Sequence, residues 1–85
     1  MELLRNVAAR VKQNGWQLVN LDCVVICEKP KVLPYRDVIR NSLAEVLEVS
    51  PEQIFIKGKT AEKLGPVGKG QAVEVMALCL LEKSL

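Results

Sequence analysis

The chain reads as an α/β domain of the α+β kind, in the order α-β-α-β-β, with one mixed sheet carrying its helices on one face. Three observations carry that reading. Apolar residues recur at helical spacing over residues 2–14 and again over 35–48. Two runs rich in β-branched residues, Cys23-Val24-Val25-Ile26-Cys27 and Ile54-Phe55-Ile56, follow those helices. No repeat, low-complexity tract or linker divides residues 1–85, so the whole is one unit.

The first helix presents Leu3, Leu4, Val7, Ala8 and Val11 on one side and Glu2, Arg5, Arg10 and Lys12 on the other. Asn14-Gly15 stops it, because glycine takes the left-handed conformation that ends a helix without steric cost. From Trp16 the pattern alternates and tightens into the apolar run at 23–27, read as a well-buried strand bounded by Lys29-Pro30. Pro30 and Pro34 bracket a loop. Tyr35, Val38, Ile39, Leu43, Val46 and Leu47 then mark one face of a second helix, with Arg36, Asp37, Arg40, Glu45 and Glu48 largely on its solvated side. Ser50-Pro51-Glu52-Gln53 has the capping-box form, with room for a single turn before the short strand at 54–56. Residues 72–81 suit a helix by composition and a central strand by their unbroken apolar character, and the pattern does not choose between them.

Composition narrows what such a domain can do. A chain of 85 residues buries only about 60–65% of its unfolded surface, which makes a monomer marginal and a homo-oligomer the expectation. Its 49% apolar residues include only three aromatics, Trp16, Tyr35 and Phe55, so the core must be aliphatic and thin. A net charge of +2, with no basic stripe interleaved with aromatics, argues against nucleic acid as a partner. No secretory leader and no long apolar run are visible, so no membrane association is expected. The odd count of three cysteines fits free thiols in a bacterial cytoplasm or a plastid-like compartment. Cys23 and Cys27 on one strand face would stand about 13 Å apart, too far for a disulfide or a shared metal. All three cysteines are read as small buried hydrophobes, and with no histidine in the chain zinc is not supported.

Two segments stand out for chemistry. Residues 57–70 hold four lysines, four glycines, Thr60 and a lone acid, Glu62. Lysines give point charges, glycines let backbone approach a ligand, and one carboxylate beside phosphate oxygens is a common way to hold magnesium. An ordinary solvated turn meets the same composition equally well. Gly58-Lys59-Thr60 imitates the end of a P-loop, but Gln53 stands where the first glycine is needed. Gly65, Gly68 and Gly70 run in the reverse of the dinucleotide spacing and open no recognisable helix. The second segment, residues 27–34, takes a strand into a proline-fixed loop. Its unpaired amides and carbonyls could read the edge of a base, although a plain connection is the commoner use of such a pattern.

In order and spacing these segments resemble the C-terminal half of the 2-C-methyl-D-erythritol 2,4-cyclodiphosphate synthase family of isoprenoid biosynthesis. The resemblance runs from Leu3-Leu4 through Val19-Asn20-Leu21-Asp22 and Pro30-Lys31-Val32-Leu33-Pro34. It is most specific at Lys57, Thr60 and Glu62-Lys63-Leu64-Gly65, and Gly68 and Gly70 also match. It implies a phosphorus–oxygen lyase reaction in which the 2-phosphate of a cytidine diphosphate derivative attacks the β-phosphorus, closes a cyclodiphosphate and releases CMP. It further implies that Cys27, Pro30, Lys31, Val32 and Leu33 line the cytosine pocket and that Thr60 binds the diphosphate. Glu62 would hold the bridging magnesium. The resemblance implies a homotrimer with sites between subunits, and it makes residues 73–81 a strand.

The departures from the family pattern are as specific. Family members bind catalytic zinc through an Asp-x-His pair and a further histidine in an N-terminal half that has no counterpart here. The threonine-rich run before the glutamate becomes Lys59-Thr60-Ala61, Phe-Thr-Gly-Arg becomes Pro66-Val67-Gly68-Lys69, and Met76 stands where an acid often lines the trimer axis. The expectation is a truncated member that keeps the cytidine diphosphate and magnesium side of the site and is inactive alone. Two further readings are an assembly module without ligand and a fragment completed by a separate N-terminal piece.

Overall fold

A computed structural model describes residues 1–84. Helix α1 (Glu2–Gln13) leads into strand β1 (Trp16–Ile26), then helix α2 (Arg36–Leu47), strand β2 (Ile54–Lys59), a four-residue helical turn α3 (Gly65–Gly68) and strand β3 (Glu74–Lys83). The sheet is mixed, in the order β2-β1-β3, with β1 parallel to β2 and antiparallel to β3. The ambiguous last segment is therefore a strand, over Glu74–Lys83 and not 72–81, and the long ladder from Trp16↔Lys83 to Ile26↔Glu74 is what fixes it. No helix among the described residues is long and apolar enough to cross a membrane.

The local signals act where the pattern places them. Gly15 adopts φ +85° after the last turn of α1. The reciprocal capping box is formed: Ser50 Oγ accepts from the Glu52 amide, and the Ser50 amide donates to Gln53 Oε1. The Gln53 amide group also donates to the carbonyls of Leu18 and Val19, tying this turn to β1. Lys12 donates to the Glu48 carboxylate across the ends of α1 and α2, and that hydrogen bond lowers the Glu48 pKa. Both groups are exposed, so the pair adds little to stability.

The core is small and lies between α2 and the β1–β2 pair. Ile54 is fully buried, with Ile56 and Ala44 against it and Leu21, Cys23, Ile39, Leu43, Leu47 and Val49 around the rim. In the ladder Leu21 faces Ile54 and Cys23 faces Ile56, so these side chains share the helix-covered face. The alternate positions point the other way, and there Phe55, Met76, Leu78 and Leu80 are 55–74% exposed. The radius of gyration is 14.7 Å, against about 12 Å for a compact domain of this length.

Four readings need correction. Tyr35 and Val38 are exposed, because α2 begins only at Arg36 and meets the sheet along a stripe through Ile39, Leu43, Ala44 and Leu47. The run 23–27 is mostly half-buried and not well buried, since only one side of the sheet is covered. Cys27 is buried and Cys23 half-buried, but Cys79 is exposed, on the edge strand β3. Gly65 to Gly68 does form a helical turn, with Pro66 near its start.

Candidate functional site

Parallel pairing of β1 with β2 puts the C-terminal ends of both strands side by side, and the segments that leave them emerge at the same edge. Val25 faces Gly58, Ile26 faces Lys59, and the Cys27 amide continues the ladder by donating to the Lys59 carbonyl at 2.9 Å. The loop after β1 then folds down over β2. A Cβ built on Gly58 would lie 2.7 Å from Val32 Cβ, so any side chain at 58 would push this loop away.

Between the two segments lies a cleft of about 420 Å³, lined by Cys27, Lys31, Val32 and Leu33 from the first and by residues 56–60 from the second, with Arg36 at its edge. Its charged lining is wholly cationic: Lys31, Arg36, Lys57 and Lys59. Such a wall attracts a polyanion, while Val32, Leu33 and Ile56 offer an apolar surface to a ring. The thiol of Cys27 is turned inward and donates to the Lys29 carbonyl at 2.9 Å. On the same strand, burial and then the Asp22 charge push the Cys23 thiol above its ordinary pKa, which leaves it protonated and unreactive at neutral pH.

Thr60 and Glu62 meet in the turn that follows β2. The Glu62 amide donates to Thr60 Oγ1 at 3.3 Å, and the same hydroxyl lies 3.4 Å from Glu62 Oε1. Glu62 and Lys63 have φ of +54° and +63°, a left-handed conformation that non-glycine residues adopt only where surroundings hold it. Glu62 is exposed, so its carboxylate faces solvent.

Of the residues singled out in the sequence, Cys27, Lys31, Val32, Leu33 and Thr60 line the one cleft, whereas Pro30 and Glu62 are not among its lining residues. The cleft also takes in Arg36, which the helical pattern assigned to solvent. No local signal marks it, since Arg36 opens α2 beside Asp37 and has the pattern of an ordinary exposed helix cation. A larger cavity of about 560 Å³ opens beneath α1, between Leu4, Val7 and Val11 and the sheet residues Leu18, Leu21 and Leu81. It is predominantly apolar and has no cluster of converging charges.

A zinc site asks for three or four His, Cys or carboxylate ligands; among the described residues no three of His, Cys, Asp and Glu come together, and the 85 residues include no histidine. Magnesium asks less, since a single carboxylate completed by phosphate oxygens and water is an ordinary site for it.

Comparison with known proteins adds four findings. The YgbB family model matches residues 1–82. The 2-C-methyl-D-erythritol 2,4-cyclodiphosphate synthase of Treponema denticola is 50% identical over 80 residues, covering 94% of this chain and 50% of that protein. Among solved structures, the 2C-methyl-D-erythritol 2,4-cyclodiphosphate synthase of Plasmodium vivax superposes with a TM-score of 0.97 at 36% identity, covering 99% of this chain and 56% of that one. The IspF CDP complex of Plasmodium falciparum superposes at 0.94 with 34% identity, over 96% and 53% of the two chains. The chain thus spans about half the length of the relatives it matches.

Proposed function

The chain belongs to the YgbB family, and from that premise we propose that it carries the cytidine diphosphate and magnesium side of a cyclodiphosphate synthase site, without turnover of its own. One observation carries the reading: the cationic cleft joining residues 27–33 to residues 56–60, beside a turn that offers a single exposed carboxylate. The CDP complex of the similar Plasmodium falciparum protein supports the choice of nucleotide. In this reading Cys27, Pro30, Lys31, Val32 and Leu33 receive the base, Thr60 the diphosphate, and Glu62 the magnesium, which when bound neutralises phosphate charge. The 85 residues contain no histidine, and in this reading the zinc ligands of the family's chemistry come from outside them.

Titration of CDP in the presence of magnesium chloride, followed by the thermal midpoint, tests this. Ligand at about a hundred times its Kd should add roughly 2.7 kcal/mol to the stability of the folded state. Glu62→Ala should abolish the magnesium-dependent part of that rise. Unliganded, the variant should stay within about 0.5 kcal/mol of the parent, because an exposed loop carboxylate makes few packing contacts. No shift at millimolar CDP would refute retained nucleotide binding.

A second reading, assembly, is favoured by the open sheet face. Leu78 is 74% exposed and Met76 61%, on a strand at the edge of the sheet. The expected outcome is a homotrimer by light scattering at micromolar concentration, with the Phe55, Met76 and Leu78 face covered. A monomer under those conditions would count against it.

A further inference from the structure

Glu28 is the first residue beyond Cys27, and its half-buried side chain reaches across to the turn after β2. One carboxylate oxygen accepts from two amides there, Ala61 N–H at 2.9 Å and Lys63 N–H at 3.3 Å. Those amides stand on either side of Glu62. The hydrogen bonds internal to the turn are Leu64 N–H to the Ala61 carbonyl and the Thr60–Glu62 pair. Among the described residues, Glu28 alone hydrogen-bonds residues 60–64 from outside the segment 59–71. The two consecutive left-handed residues, Glu62 and Lys63, therefore sit in a conformation that this carboxylate grips at both ends.

We propose that Glu28 is a positioning residue for the site: it holds the 61–63 turn, and with it the Glu62 carboxylate and the Thr60 hydroxyl, against the loop that follows β1. This rests on the reading of Thr60 and Glu62 as the magnesium–diphosphate side. The consequence is mechanical. The base side, residues 27–33, and the phosphate side, residues 60–62, are locked into one unit by a bond between segments 33 residues apart. Charge-assisted acceptance of two amides suits that purpose, since such bonds are shorter and stronger than neutral ones.

The test uses the 85-residue chain and two variants, with amide exchange read by NMR and magnesium-dependent CDP binding read by calorimetry. Glu28→Ala should speed exchange of the Ala61 and Lys63 amides and weaken binding by roughly tenfold, about 1.4 kcal/mol. Protection at Ile54 and Ile56 should be unchanged, which shows that the variant is folded. Glu28→Gln keeps a side-chain oxygen where Oε1 lies and should restore both readouts most of the way. Unchanged exchange at Ala61 and Lys63 in Glu28→Ala would overturn the brace. Faster exchange with undiminished binding would overturn the positioning role and leave Glu28 as a feature of the turn alone. If the parent does not bind CDP with magnesium, the reading of the site fails and the positioning role with it, while amide exchange still decides whether the brace exists.

Discussion

Ile54→Ala is expected to leave the chain without a cooperative unfolding transition at 25 °C, or close to that limit. Ile54 is the fully buried side chain at the centre of the molecule, paired in register with Leu21 and packed with Ile56 and Ala44. Deleting its outer carbons removes their transfer free energy and leaves a cavity that a two-layer core cannot collapse, a cost of about 2–5 kcal/mol. Small domains hold about 5–15 kcal/mol in total, and a chain with so few buried side chains belongs at the low end. Urea unfolding followed by far-UV circular dichroism is the measurement. The neighbouring Phe55 supplies the control. It is larger but 56% exposed on the open face, so Phe55→Ala should cost about 1 kcal/mol or less if that face is bare. A loss at Phe55 matching that at Ile54 would mean that another copy covers it. A mild loss at Ile54 would mean that the core lies elsewhere.

That contrast between adjacent residues also marks what the sequence could and could not reveal. Ile54-Phe55-Ile56 reads as a short strand and lies in β2, and the Ser50 capping box and the Gly15 stop are local signals that local structure obeys. Burial is not local. Tyr35 and Val38 carry the right spacing for a core stripe, but α2 starts only at Arg36 and turns Ile39, Leu43, Ala44 and Leu47 to the core. Residues 72–81 stayed open between helix and strand because only the partner, β1, selects the extended form. In the cleft, Lys31, Val32, Leu33, Cys27 and Thr60 belong to segments whose composition is unusual enough to notice. Arg36 and Glu28 escaped notice because each matters only through a tertiary approach. Arg36 reads as an exposed helix cation, and Glu28 as a loop acid, until the two strand ends are side by side. The α3 turn escaped for a related reason. Four residues with glycine at each end have no periodicity to read, and its helical form accompanies the close packing of Gly68 on Lys63.

Gly68→Ala follows from that packing and should separate site geometry from bulk stability. A Cβ at position 68 would lie 2.3 Å from the Lys63 carbonyl carbon and 2.7 Å from its Cα. These are backbone atoms, so no side-chain rotation relieves the clash, and the 61–63 turn must move. Lys63 sits in a left-handed conformation gripped by Glu28, and Glu62 is its immediate neighbour, so the carboxylate moves with it. Overpacking of this kind costs about 1–3 kcal/mol. The larger expected effect is loss of the magnesium-dependent CDP response. Gly15→Ala is the matched comparison. Gly15 has φ +85° with nothing within 4 Å of a new Cβ, so alanine there meets backbone strain of about 1–2 kcal/mol but no neighbour, at the end of α1 away from the cleft. Similar losses of stability in the two variants, with nucleotide binding kept at 15 and lost at 68, would tie the ligand to the geometry of the 61–63 turn. Equal binding in both would mean that the turn contributes nothing to the ligand, and the assignment of Thr60 and Glu62 to phosphate and magnesium would fall.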